Sequence, residues 1–79
     1  MITAADLSKK ISENILNQPG KEIAETDKLI SSGLIDSFKL VDLSILIEDD
    51  YGILLDDSEL NVETFDSLGD LVALINSRM

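Results

Sequence analysis

The sequence contains no cysteine and no histidine, and each absence restricts the chemistry available to the chain. Without cysteine there is no disulfide, no thiolate metal site and no cysteine nucleophile. Without histidine the chain lacks the commonest general base of enzymes and the commonest ligand of transition metals. We therefore expect neither an enzyme with catalytic residues nor a metal site.

Positive charge is also scarce, since six Lys and Arg residues stand against sixteen Asp and Glu residues, for a net charge of −10. Nucleic acid and anionic membrane surfaces would repel such a chain, so we expect neither as a partner. The negative charge is concentrated in residues 36–79, with a net of −9, against −1 in residues 1–35. The second half of the chain is therefore the expected contact region for a partner.

The size and hydropathy of the chain indicate one small folded protein. Its 79 residues are 44% hydrophobic, too many for a disordered acidic tail. The first residues lack the basic and apolar stretches of a secretory signal, and no apolar run approaches the ~20 residues that span a bilayer. We expect a single domain over residues 1–79, monomeric and cytoplasmic, with no membrane insertion.

Apolar residues at helical spacing, bounded by capping residues, predict the longer helices. The first begins at Thr3, which with Asp6 resembles a capping box, and it stops before Pro19. The second runs from about Ser37 to Tyr51 and ends at a glycine. A third longer helix closes the chain.

The remaining residues predict a short helix and a long connection. Residues 61–65 are expected to form the short helix, and Ser67 with Asp70 resembles a capping box that opens the last helix. Residues 18–36 form a connection of a length that is uncommon in compact domains and is more often functional than idle. The expected fold is all-α, a small four-helix bundle with a long loop between its first two helices.

The second helix carries two apolar faces when its residues are placed at ~100° intervals. One face is expected to pack in the core and consists of Leu40, Leu43, Ile47 and Tyr51. The other lies near Ser37 and consists of Phe38, Val41 and Ile45, flanked by the acids Asp42, Glu48 and Asp49. Because so small a chain has little to cover a second face, we interpret it as a surface for a partner.

The six residues before and within the start of this helix form a motif, Gly33-Leu34-Ile35-Asp36-Ser37-Phe38. The motif closely resembles the attachment site of acyl carrier proteins, and the likeness in helix order extends over roughly residues 3–78. The resemblance implies that Ser37 carries a 4′-phosphopantetheine arm derived from coenzyme A. It also implies that Asp36 helps to hold magnesium and coenzyme A in the complex with the transferase.

The resemblance further implies a function and a set of partners. An acyl or aminoacyl group would be held as a thioester on the arm, whose thiol a chain without cysteine cannot supply itself. The implied partners are a phosphopantetheinyl transferase, a loading ligase or synthase, and a downstream acyltransferase. The pathway, whether fatty acid, polyketide, nonribosomal peptide or D-alanylation, stays open at this point.

Two features separate this motif from its commonest form in fatty-acid carriers, which is Gly-Ala-Asp-Ser-Leu. Gly33 stands three residues before Asp36, and Lys39 takes a position that is usually acidic or polar. This form looks more like D-alanyl carriers of teichoic acid modification and other stand-alone carriers. The alternative of another class is an unmodified acidic helical adaptor that binds a basic protein surface.

Overall fold

The structure, a computed structural model, describes residues 1–79 and consists of helices and connecting segments without a strand. Its three α-helices are α1 (Ala4–Asn14), α2 (Ser37–Tyr51) and α3 (Leu68–Arg78). A single 3₁₀ turn, Asp57–Glu59, lies between α2 and α3. The all-α fold class is confirmed. None of the helices combines the length and the hydropathy needed to cross a bilayer.

The helix starts follow the capping residues that the sequence supplies. The Thr3 hydroxyl accepts a hydrogen bond from the Asp6 backbone N–H at 3.2 Å, and the Asp6 carboxylate accepts one from the Thr3 N–H at 3.4 Å. The Ser67 hydroxyl accepts a hydrogen bond from the Asp70 N–H at 3.1 Å. These contacts satisfy donors that a helix start leaves free, so the predicted starts of α1 and α3 are confirmed.

The end of α2 depends on one glycine. Gly52 has a φ of 70°, in the left-handed region, and its N–H donates to the Glu48 carbonyl at 2.9 Å. A residue with a side chain would be strained in this conformation, whereas glycine adopts it freely. The predicted bounds of α2, from Ser37 to Tyr51, are confirmed.

The short helix predicted at residues 61–65 does not form, and this expectation is wrong. The Asn61 side-chain carbonyl accepts hydrogen bonds from the N–H groups of Glu63 and Thr64, both at 3.0 Å, which closes a turn. Phe65 follows the turn outside any helix, and its side chain is buried. The one helical turn between α2 and α3 forms earlier, as a 3₁₀ turn at Asp57–Glu59.

The core is a single cluster of sixteen buried apolar side chains, and Phe65 is its only aromatic member. Helix α2 contributes Leu40, Leu43 and Ile47, three of the four residues expected on its core face, while Tyr51 is only partly buried. Burying a Leu or Ile side chain contributes ~1.5–3 kcal/mol each, so this face holds α2 in a fixed orientation. Its other face is thereby turned to solvent.

The apolar run after α2 packs without pairing as a strand. Ile53 and Leu55 are buried, while Leu54 between them is 66% exposed. This alternation places every second side chain against the core, as extended backbone does. The segment has no partner strand.

Side chains of α3 hold both ends of the chain to the fold. Asn76 accepts a hydrogen bond from the Ile2 N–H at 2.9 Å and donates one to the Ile2 carbonyl at 3.0 Å. Arg78 pairs with Glu59 and also reaches the Leu54 carbonyl at 3.5 Å. The Arg78 guanidinium holds the pKa of the Glu59 carboxyl below its usual range. These contacts join α3 to the segments at its two sides.

We predict that replacing Tyr51 by phenylalanine stabilises the protein. The Tyr51 hydroxyl is buried and has no hydrogen-bond partner, a loss of hydration that costs about 1–3 kcal/mol. The Lys10 ammonium, 5.6 Å from the ring centre, would stack on phenylalanine equally well. Urea unfolding should show a free energy of unfolding higher by about 1 kcal/mol. A less stable Tyr51→Phe variant would mean that the hydroxyl is hydrated.

Candidate functional site

Two serines of α1 bind the long connection between α1 and α2. The Ser8 hydroxyl accepts a hydrogen bond from the Ile23 N–H at 2.9 Å, and the Ser12 hydroxyl lies 2.6 Å from the Lys21 carbonyl. Both serines are buried, although the helical pattern places them on the polar face of α1. Their hydroxyls satisfy backbone groups that would otherwise be buried without a partner. The first part of the connection is therefore fixed to α1.

Asp66, just before α3, binds the middle of the same connection. One of its carboxylate oxygens accepts hydrogen bonds from the N–H groups of Ile30 at 3.1 Å and Ser31 at 3.0 Å. Its backbone carbonyl accepts a further bond from the Leu29 N–H at 2.6 Å. The pKa of the Asp66 carboxyl is held below its usual range, mainly by the Ser31 hydroxyl and to a smaller extent by these backbone N–H donors. Sequence reasoning missed this residue, because an acid near a helix start is ordinary turn chemistry.

The first turn of α3 completes the attachment through its backbone. The Leu68 N–H donates to the Asp27 carbonyl at 3.1 Å, and the Gly69 N–H donates to the Glu25 carbonyl at 2.9 Å. A Cβ on Gly69 would lie 2.8 Å from the Glu25 Cγ and 3.2 Å from its carbonyl oxygen, so the Glu25 side chain would have to shift. Glycine at this position therefore allows the close approach without displacing Glu25.

The end of the connection, just before α2, is also held in place by hydrogen bonds and burial. The Ile35 N–H donates to the Leu29 carbonyl at 2.8 Å, and the Ile35 side chain is buried in the core. Asp36 follows with extended backbone and caps the helix, since its carboxylate accepts a hydrogen bond from the Lys39 N–H at 2.9 Å. The position of Ser37 is thus fixed by the buried Ile35 before it and by the hydrogen bond between Asp36 and Lys39 across it.

Ser37 is the first residue of α2, and its side chain is exposed. Its hydroxyl makes no hydrogen bond within the chain, because Asp36 and not Ser37 is the cap of this helix. The N–H groups of Ser37 and Phe38 also have no acceptor in the chain. An accessible hydroxyl therefore stands beside two free donors at the positive end of the helix dipole, an arrangement that favours an attached phosphate.

The exposed apolar residues of α2 form a stripe that begins next to Ser37. Phe38 is 82% exposed, Val41 50% and Ile45 51%. Their exposure agrees with the interpretation of a second apolar face that the core does not use. A large apolar residue exposed alone is unremarkable, but three on one helix face are typical of a surface that a partner covers.

Acidic residues border this stripe. Asp42, Glu48 and Asp49 are exposed, and none of them is paired with a base. Asp50, the next acid, instead pairs with Lys10 of α1 at 3.0 Å. The free acids give the stripe a negative border, as a surface for a positively charged partner requires.

No pocket is lined by Ser37 or by any other residue of α2, although one groove reaches Gly33 and Leu34 just before the helix. The largest surface groove, of about 690 Å³, lies between α1 and residues 20–27. No group of three or more acidic, histidine or cysteine side chains comes together as a metal site would require. The chemistry available at this site is that of one hydroxyl on an open surface.

A comparison with protein families matches residues 4–75 to the family described as phosphopantetheine attachment site. The chain belongs to this family. A search of curated proteins found no match. The expectation of a carrier-protein family is thereby confirmed over residues 4–75.

Membership of the phosphopantetheine carrier family establishes the cofactor. The family carries a covalently attached 4′-phosphopantetheine, and its members work with a phosphopantetheinyl transferase and with further partner enzymes. The residues at the start of α2 fit such a group, since they offer an unpaired hydroxyl and two free N–H donors.

We predict that Asp66→Asn removes part of the acid sensitivity of the fold. Because folding lowers the Asp66 pKa from 3.8, its carboxylate stabilises the protein above the unfolded pKa, and this contribution is lost as the pH falls below it. Asparagine keeps an oxygen for the two N–H donors but does not titrate. Urea unfolding from pH 3 to pH 7 should therefore give a flatter curve for the variant. An equally steep loss of stability would show that Asp66 does not control it.

Proposed function

We propose that Ser37 carries the phosphopantetheine arm and that the protein holds an acyl or aminoacyl group on it as a thioester. The observation that carries this proposal is the environment of the Ser37 hydroxyl, which is exposed, free of internal hydrogen bonds and placed directly after the Asp36 cap. Ser32, which is also close to this turn, instead donates its hydroxyl to the Lys28 carbonyl.

The backbone around Ser37 suits the phosphate of the arm. The free N–H groups of Ser37 and Phe38 can donate to phosphate oxygens, and the helix dipole favours negative charge at this end. When attached, the arm supplies the thiol that forms the thioester, a group absent from a chain without cysteine. The chain itself contributes the position of the arm and the surface around it.

In this function the protein is a carrier and not a catalyst. It acts as a cytoplasmic monomer, a single carrier domain over residues 1–79, that is modified by the transferase, loaded by a ligase or synthase, and unloaded by an acyltransferase. An open surface at Ser37 supports this role, because each enzyme must reach the same residue. The unmodified acidic adaptor, the rival interpretation, has no such requirement.

Asp36 serves two purposes in this proposal. One carboxylate oxygen accepts the capping hydrogen bond from the Lys39 N–H, and the other lies 3.9 Å from the Lys39 ammonium. The Asp36 side chain as a whole is 56% exposed. The exposed oxygen is free to bind the magnesium ion that accompanies coenzyme A in the transferase complex. Its stabilising role and its role in transfer can therefore be separated by substitution.

The partner enzymes are proposed to dock on the stripe of Phe38, Val41 and Ile45 and its acidic border of Asp42, Glu48 and Asp49. The apolar residues would supply most of the affinity, at ~25 cal/mol per Å² removed from water before the costs of association. Exposed ion pairs are worth only ~0–1 kcal/mol each, so the acids would mainly guide the approach of a basic partner.

The motif form favours one cargo as a second candidate. Leu34 and Ile35, half-buried and buried respectively, stand where fatty-acid carriers usually have a shorter sequence between glycine and aspartate. This form is closer to that of D-alanyl carriers, which makes D-alanine a specific alternative to a fatty acyl group. Both cargoes use the same arm and the same serine.

We predict that Ser37→Ala abolishes attachment of the arm. Incubation of the parent with coenzyme A and a phosphopantetheinyl transferase should add the mass of one arm, and the variant should gain nothing. Because Ser37 is not the cap of α2, the substitution should change the free energy of unfolding by less than about 0.5 kcal/mol. Ser44→Ala, in the same helix, is the matched control and should be modified normally. A modified Ser37→Ala variant would refute the assignment.

We predict that Asp36→Asn slows arm transfer about tenfold or more while leaving the fold intact. Asparagine caps helices as well as aspartate does, so the melting temperature should hardly change. A carboxylate binds magnesium far better than an amide, so the transfer step should lose rate. Initial rates by intact mass, with Asp70→Asn as control, measure the effect. Equal rates for both variants would exclude Asp36 from the transfer site.

We predict that the acids and the apolar stripe affect different rate constants of docking. Glu48→Lys with Asp49→Lys should lower the association rate with the transferase about tenfold at low salt. Val41→Ala should raise the dissociation rate about three- to tenfold with little dependence on salt.

Stopped-flow binding across a salt series distinguishes these effects, and the double variant Glu13→Lys with Glu22→Lys, which changes the net charge equally outside α2, is the matched charge control. It should bind as the parent does if docking uses α2. An association rate that is insensitive to salt, with the double Lys variant of α2 binding normally, would contradict docking on α2 and leave Ser37 unaffected.

A further inference from the structure

Lys39 is the only basic residue of α2, and it stands beside the proposed attachment site. Every other charged residue of this helix is acidic. Its side chain is 40% exposed, and its ammonium lies 3.9 Å from the free oxygen of Asp36. Lys39 is therefore a single positive charge placed between the start of α2 and the acids farther along it.

The contact between Lys39 and Asp36 is loose compared with the other ion pairs of the protein. Lys10 approaches Asp50 to 3.0 Å, and Arg78 binds Glu59 directly. The other carboxylate oxygen of Asp36 already accepts the capping hydrogen bond from the Lys39 N–H. A pair at 3.9 Å between two exposed groups leaves the ammonium free to turn to a nearer anion.

The direction of the Lys39 side chain brings its ammonium to the start of the helix. Residues two apart in a helix do not face each other, so Lys39 and Ser37 are not neighbours by spacing alone. Helical side chains lean toward the N-terminus, however, and the ammonium of Lys39 reaches Asp36, the residue next to Ser37. Asp36 and Ser37 are consecutive, so a phosphate on the Ser37 hydroxyl would stand on the residue next to the one that the ammonium reaches.

We propose that Lys39 is a positioning residue for the phosphopantetheine arm, and that its ammonium pairs with the phosphodiester once Ser37 is modified. This inference rests on the proposed function. Modification adds a negative phosphodiester next to the Asp36 carboxylate, and no other base is placed in α2 to offset it. The ion pair would hold the phosphate end of the arm at the start of the helix. The acids Asp42, Glu48 and Asp49 would then stay free to bind partners.

Thermal unfolding of matched unmodified and modified proteins tests the proposal. The set consists of the parent, Lys39→Gln, Lys39→Arg and the control Lys9→Gln, an exposed lysine of α1 without an ion pair. Each variant is compared with its own unmodified form, so that any effect of the substitution on folding cancels. The change in Tm on modification should be about 2–4 °C more negative for Lys39→Gln than for the other three. This gap should close at high salt.

A second measurement observes the phosphate itself. The ³¹P NMR shift of the modified proteins should differ from the parent in Lys39→Gln, and should match the parent in Lys9→Gln. Lys39→Arg should restore the stability of the modified form, since arginine also pairs with phosphate.

The outcomes separate this inference from the function on which it rests. If every variant accepts the arm but Lys39→Gln shows the same Tm change and phosphate shift as Lys9→Gln, Lys39 does not position the arm and the carrier function stands. If the parent accepts no arm, as intact mass would show, the proposed function fails and this inference fails with it.

Discussion

The hydrogen bonds that fix the connection between α1 and α2 are the constraint on which the site depends. Ser8 and Ser12 hold its first part to α1, and Asp66 holds its middle part to the start of α3. Without them the residues before α2 would be a long unstructured loop, and loop entropy would oppose any defined position for Ser37. With these hydrogen bonds, the exposed Ser37 hydroxyl has a defined position on the surface.

The second constraint is the division of α2 between two environments. Leu40, Leu43 and Ile47 anchor one face in the core, which turns the stripe that begins at Phe38 outward. Orientation of the stripe therefore follows from burial of the opposite face and needs no interaction of its own. In the proposed function, an arm on Ser37 and a docking surface along the helix lie side by side, so a partner that binds the stripe would meet the arm.

The parts of the fold that can be predicted from the sequence are those set by interactions within one helical turn. The starts of α1 and α3 and both ends of α2 follow from Thr3, Ser67, Asp36 and Gly52, because a cap acts on residues within one turn. The roles of Ser8, Ser12 and Asp66 were not readable, because their partners lie far along the chain and their side chains suit solvent equally well. The short helix failed at residues 61–65 because Asn61 closes a turn there. At the candidate site, the motif predicts Ser37 and Asp36 as the attachment residues, and this stays a prediction. That Asp36 rather than Ser37 caps the helix follows only from the structure.

The central claim, that the hydroxyl at the start of α2 carries the arm, is tested most directly by locating the arm in the modified protein. Trypsin cleaves after Lys28 and Lys39 and releases a peptide of residues 29–39, which contains Ser31, Ser32 and Ser37. Fragmentation of this peptide by tandem mass spectrometry after treatment with coenzyme A and a transferase assigns the arm to one serine. The account predicts that the arm is found on Ser37 alone. An arm on Ser31 or Ser32, or on a different peptide, would contradict it.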